Sequence, residues 1–208
     1  MATIRITSTE NPFESQRLAR LAAGLLATAE AMGLLGDMVI DRLDLPTMRQ
    51  IVDRIAAAGI GIEAQAALSV PAGQQEPGEI ADLLKRIAIA IEESPAPAYE
   101  WRSLEALFGT DQLAALLGTS VASVRRYLTG SRVTPDLVAA RLHFLATVVG
   151  DLAGAYNDFG IRRWFQRPRQ LLDGRSPSEL LGKNWDPDSP PAKSVRALAR
   201  SLGASAAT

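Results

Sequence analysis

TDQLAALLGTSVASVRRYLTG, running from Thr110 to Gly130, decides how the rest of the chain is read. It reads as a helix, a tight turn and a second helix. Thr110 is suited to cap the first helix, because its hydroxyl can accept from a free N–H of the opening turn. Leu113, Leu116 and Leu117 give that helix an apolar face, and Ala114 is small enough for another helix to cross closely. Gly118 falls where the chain must turn, since glycine enters the left-handed region without a β-carbon penalty. Val121 and Val124 bring the second helix back onto the first. Ala122, Ser123, Arg125 and Arg126 are left outside. This is the layout of a helix-turn-helix, whose second helix enters the major groove of DNA. A plain helical hairpin with two solvated arginines has the same spacing.

On the DNA reading, the contact residues are Thr119, Ser120, Ala122, Ser123, Arg125, Arg126 and Arg132. Thr119 and Ser120 would hold a phosphate at the start of the second helix. Arg125 and Arg126 would pair with guanine or grip the backbone, and the short side chains beside them permit close approach.

Composition bounds the alternatives. The chain has 208 residues, 47% of them hydrophobic, enough for a real core in one large domain or two small ones. There are no cysteines, which excludes disulfides, thiolate metal sites and cysteine nucleophiles. The single histidine, His143, makes a His-rich zinc site or histidine catalysis a poor fit, and it reads as a surface or partly packed residue. No apolar run spans a bilayer and no signal-peptide pattern opens the chain, so a cytoplasmic location and no membrane contact are expected. Net charge is −1, but its distribution is uneven. Through Phe108 there are 9 Lys and Arg against 15 Asp and Glu, and from Gly109 onward 13 against 8. The basic half is the one with the helix-turn-helix pattern, which localises polyanion contact to that half.

Taken in order, Thr3–Thr9 alternates Ile4 and Ile6 with polar residues and reads as a short edge or inter-chain strand. Asn11, Pro12 and Glu14 read as a helix start, with the stripe Leu18, Leu21, Leu25, Met32, Leu35 following. Met38–Leu45 is ambiguous between strand and helix. Pro46–Ala58 is helical, and Ile60–Val70 fits neither period well. PAGQQEPG, Pro71–Gly78, is a loop before an amphipathic helix through Ile80, Leu83, Leu84, Ile87 and Ile91. SPAPA, Ser94–Ala98, is the best linker, because its prolines deny it regular structure. Trp101, Leu104, Leu107 and Phe108 form a helix that props the hairpin. A long helix then runs from Thr134 to Phe159 and stops at Gly160. Val138, Leu142, Leu145, Val149, Leu152, Tyr156 and Phe159 form its packing seam, within one chain or between two.

The fold class expected is mainly α: a helix-turn-helix core, a small helical C-terminal domain, and an N-terminal helical domain with room for a few short strands. The boundaries fall at 1–93 for a dimerisation or sensor domain, 94–100 for the linker, 101–160 for the helix-turn-helix and long helix, and 161–208 for the C-terminal region.

In that last region, RRWFQRPRQLLDGRSPSELL, Arg162–Leu181, sets Trp164, Phe165, Leu171, Leu172, Leu180 and Leu181 as apolar anchors between turn residues. Ser176 and Glu179 form a capping box. KNWDPDSPPAK, Lys183–Lys193, is a proline-rich connection to an amphipathic helix over Val195–Leu202, followed by Gly203. The series Trp164, Pro168, Leu171, Gly174, Pro177, Leu180, Leu181, with that last helix, resembles the Xre/MbcA/ParS antitoxin family over about the last hundred residues. The resemblance implies an all-helical antitoxin that binds a RES-domain, NAD-consuming toxin and represses its own operon. It also implies that toxin contact falls between Trp164 and the C-terminus, with Trp164, Phe165, Arg167, Arg169, Arg175 and Trp185 as the contact residues.

The implied partners are double-stranded DNA, a RES-domain toxin and a second copy of the chain, since one recognition helix rarely supplies enough affinity. No cofactor, metal or catalytic residue is expected, because no phosphate-cradling loop, nucleophile motif or paired carboxylates stand out. Two other readings stay open. One is a transcriptional regulator with no toxin; the other is a protein-interaction module built on a helix-turn-helix scaffold.

Overall fold

The computed structural model describes residues 2–68 and 76–206. The protein is mainly helical, with one short two-stranded sheet among the described residues. It divides into two compact units, Met1–Ser94 and Pro95–Thr208.

The first unit runs β1 (Thr3–Thr9), α1 (Gln16–Ala31), β2 (Val39–Leu43), α2 (Leu45–Ala57), α3 (Ile62–Leu68) and α4 (Pro77–Glu93). The strand expected at Thr3–Thr9 is present and pairs in parallel with β2, Thr3 opposite Val39 and Thr9 opposite Leu43. The ambiguous stretch around Met38 is therefore largely strand. The start of α1 differs from expectation. Asn11–Pro12 is a cis peptide in a turn that buries Phe13, and the helix opens four residues later behind Ser15. Leu18, Ala22, Leu25, Leu26, Ala29 and Met32 are buried along α1, Met48, Ile51, Val52 and Ile55 along α2, and Ile80, Leu83, Leu84, Ile87 and Ile91 along α4. Asp44 caps α2 by accepting from the Thr47 amide at 2.7 Å. Ile62–Leu68 is helix α3; Val70 and the loop residues Pro71–Gln75 lie outside the described residues. Pro77 and Gly78 belong to α4, not to the loop.

The second unit runs α5 (Pro97–Leu117), α6 (Val121–Leu128), α7 (Asp136–Ala153), α8 (Asp158–Gln166), a 3₁₀ turn (Gln170–Leu172), α9 (Pro177–Leu180) and α10 (Pro190–Ala206). Only the first residues of the SPAPA stretch lie outside helix. Pro97 opens α5, a position where its missing N–H costs nothing. The long helix expected to reach Phe159 ends at Ala153, and α8 leaves at a bend of 119°. Asn157 accounts for the break: its side-chain oxygen accepts from the Gly160 amide at 2.9 Å and starts a new helix. Gly160 thus lies inside α8, and Phe159 is exposed instead of closing the seam.

Within α7 every residue from Arg141 to Gly150 is buried. The helix is enclosed by α5, α8 and α10, so its seam is filled inside this unit. For the same reason His143 is not at the surface. It is buried, with Nδ1 2.6 Å from Glu100 Oε1 on α5. The stretches 101–160 and 161–208 both lie within the compact unit Pro95–Thr208. α10 continues through Gly203, where a side chain would run into the Asp151 carbonyl of α7. Gly203 therefore serves close helix approach. Among the described residues no single helix is long and apolar enough to cross a membrane.

Candidate nucleic-acid interface

The hairpin read from Thr110–Gly130 begins inside α5. Gly109 adopts φ 72 and ψ 160, which breaks the helix into a segment through Phe108 and a second through Leu117. Trp101, Leu104, Leu107 and Phe108 are buried on the first segment, as the prop requires. Gly109 supplies the start of the second segment, and the Thr110 hydroxyl donates to Glu105 Oε1 at 3.0 Å. Arg162 of α8 donates to the Leu107 carbonyl at 2.9 Å, next to the break. Leu113, Ala114, Leu116 and Leu117 are buried on the second segment.

Gly118 ends that segment in the left-handed conformation, φ 66. Ser120 then caps α6, its hydroxyl oxygen accepting from the Ser123 amide at 3.1 Å. Val124 and Tyr127 face inward, and Tyr127 stacks on Trp101 with centroids 5.3 Å apart. Val121 is half-buried. Ser120, Ala122, Arg125 and Arg126 are exposed, while Thr119 and Ser123 are half-buried beside them. No ion pair engages Arg125 or Arg126 among the described residues. The turn after α6 is tied to it: Thr129 donates to the Arg125 carbonyl at 3.0 Å and Ser131 to the Arg126 carbonyl at 3.2 Å. Arg132 is exposed, with its guanidinium 5.7 Å from the Tyr127 ring centre. All seven residues singled out for DNA therefore lie on α6 or its two flanking turns. Tyr127, Thr129 and Ser131 join them as supports that the sequence reading did not name.

Two residues from outside the hairpin hold its turn. Arg141 of α7 donates through Nε to the Trp185 carbonyl at 2.7 Å and through Nη1 to the Leu117 carbonyl at 3.0 Å. Trp185 donates through Nε1 to the Leu116 carbonyl at 2.9 Å. The last carbonyls of a helix have no partner within it, so these donors satisfy groups that would otherwise be buried unpaired. Burial lowers the Arg141 pKa, and nearby Asp186 partly opposes that shift. An arginine in the apolar run AARLHFLATVV was the signal for such a role, since a buried guanidinium needs several acceptors.

The residues implied for toxin contact separate into two sets. Trp164, Phe165 and Trp185 are buried. Phe165 packs edge-on against Phe108 at 5.2 Å, and Trp185 edge-on against Phe144 at 5.0 Å. Their rings build the core of this unit and do not face a partner in this fold. Arg167 and Arg175 are exposed, and Arg169 is half-buried over the Trp164 ring at 5.5 Å. The capping box of Ser176 and Glu179 is formed as expected. Of the two adjacent leucines expected as apolar anchors, Leu172 is buried while Leu171 is 80% exposed.

No family model, curated protein or solved structure matches this chain.

Proposed function

We propose that this chain is a DNA-binding antitoxin: a helix-turn-helix protein that represses its own operon and neutralises a RES-type, NAD-consuming toxin. The observation that carries the DNA half is the outer face of α6. Arg125 and Arg126 stand there free of intramolecular ion pairs, next to Ala122 and Ser120, while Val124 and Tyr127 fix the helix from behind. A short helix with small residues at its start and two unpaired guanidinium groups suits the major groove, where arginine pairs with the O6 and N7 edges of guanine. The hydroxyls of Thr119 and Ser120 at its N-terminus suit phosphate. The toxin half is supported by the Trp164-to-Leu181 motif and by the arginines beside it, of which Arg167 and Arg175 are exposed.

The test is a fluorescence-anisotropy titration with duplex DNA from upstream of the chain's own gene, repeated across salt concentrations. Groove binding weakens steeply and linearly in the logarithm of salt, because phosphate contacts release counterions. A flat response rejects the DNA role. Co-expression with the product of the neighbouring gene tests the second role, with recovery of cellular NAD and growth as the readout.

A further inference from the structure

Leu171 is the second most exposed of the large apolar side chains among the described residues, and it stands on one of the most tightly bonded short loops of the second unit. Between Arg169 and Arg175 the backbone closes on itself five times. The Arg169 amide donates to Arg175 and the Gly174 amide to Arg169, both at 3.0 Å. Leu172 donates to Arg169 at 3.0 Å, Asp173 to Gln170 at 3.1 Å and Arg175 to Leu172 at 3.1 Å. Asp173 and Gly174 both take positive φ, 55 and 75, which reverses the chain so sharply. The buried Leu172 side chain pins the loop from below, and Arg169 lies across Trp164. An exposed leucine on a loop without such bonds would be unremarkable; here the backbone that carries Leu171 is already held by the bonds around it.

Its surroundings are basic. Arg167 and Arg175 are exposed and Arg169 half-exposed, and none of the three is in an ion pair among the described residues. The acidic groups nearby are Asp173 in the loop and Glu179, which is engaged in its capping box and whose charge Arg175 also favours. A leucine tip is wasted on phosphate, which offers it no apolar surface. An apolar socket bordered by carboxylates satisfies both the tip and its collar, and a preformed loop loses little entropy on docking.

We propose that the Arg169–Arg175 loop is the anchor of a protein–protein contact, with Leu171 entering an apolar pocket rimmed by acidic side chains on the neutralised partner. The proposal rests on the antitoxin reading above. It adds the anchoring residue and the chemistry of the surface that receives it.

The test uses the full chain and the purified product of the neighbouring gene, with affinity read by biolayer interferometry. Leu171→Asp and Leu171→Ala should each weaken binding at least about tenfold, with the charged substitution worse. Arg167→Glu with Arg175→Glu should also weaken it and reduce its salt dependence. Near-UV circular dichroism of the buried tryptophans should be unchanged in every variant, because these side chains are outside the core. Wild-type affinity in both Leu171 variants overturns the proposal. So does a loss confined to DNA binding, which would make the loop a nucleic-acid contact. A wild-type chain that does not bind the neighbour sinks the antitoxin reading itself, an outcome visible before any variant is made.

Discussion

The carbonyl of Lys183 occupies the space that a β-carbon would take on Gly118. The glycine is thus required twice, once for its left-handed backbone and once for this contact with a segment 65 positions away. Gly118→Ala should cost about 3 kcal/mol or more, combining the left-handed penalty with displaced backbone. Urea unfolding followed by tryptophan fluorescence checks this, and a midpoint within error of wild type contradicts it. Gly130 also has positive φ but has open space where a side chain would project, so Gly130→Ala should cost only about 1–2 kcal/mol.

Arg141 donates to backbone carbonyls from two distant segments. Arg141→Met should destabilise the second unit by about 2–4 kcal/mol, since it leaves buried acceptors unpaired. Arg141→Lys should recover little of this, because a single ammonium cannot reproduce the fork that spans Leu117 and Trp185. Thermal unfolding of the three proteins distinguishes these outcomes.

Arg125 and Arg126 should show the opposite pattern. Replacing both with alanine should change stability by no more than about 0.5 kcal/mol, since both are exposed and outside ion pairs. The same change should cost about 2–5 kcal/mol of affinity for the operator and lower the salt slope. Anisotropy titrations at matched salt provide the measurement, and unchanged affinity removes these residues from the interface.

Glu179 supplies a pH signature. The Ser176 amide and hydroxyl donate to its Oε2 at 2.6 and 2.9 Å and hold its pKa below the ordinary 4.5. A carboxyl with a depressed folded value stabilises above its unfolded pKa and loses that contribution as pH falls through the folded one. The stability gap between wild type and Glu179→Gln should therefore be widest near about pH 7 and shrink as pH drops below about 4.5. Urea midpoints across that range test it, and a gap independent of pH removes Glu179 as the source.

Local chemistry made much of this fold readable. Ser176 and Glu179 three positions apart, the apolar period of α4 and the glycine at 118 each act within one turn of helix, where sequence spacing and spatial neighbourhood coincide. Readings went astray where a distant partner decided the outcome. The period through Tyr156 and Phe159 continues without a gap, yet Asn157 begins a new helix because α8 gains more by folding back through Trp164 and Phe165. Asn11 and Pro12 look like a helix start, but burying Phe13 sets the turn. The seven residues assigned to DNA are gathered because they are nearly contiguous. The aromatic residues assigned to a partner are inward, since large rings near an arginine-rich stretch fit a core as well as a surface. The role of Arg141 is not legible locally, because its acceptors lie 24 and 44 positions away.

The clamp formed by Arg141 and Trp185 bears on how this molecule can be dissected. A truncation ending near residue 160 would keep α6 whole but remove the indole and the carbonyl that finish the preceding helix. A fragment that keeps the turn between α5 and α6 as it stands here therefore extends at least through Trp185. Displacing the segment around Trp185 would be felt at the turn between α5 and α6 through these same bonds.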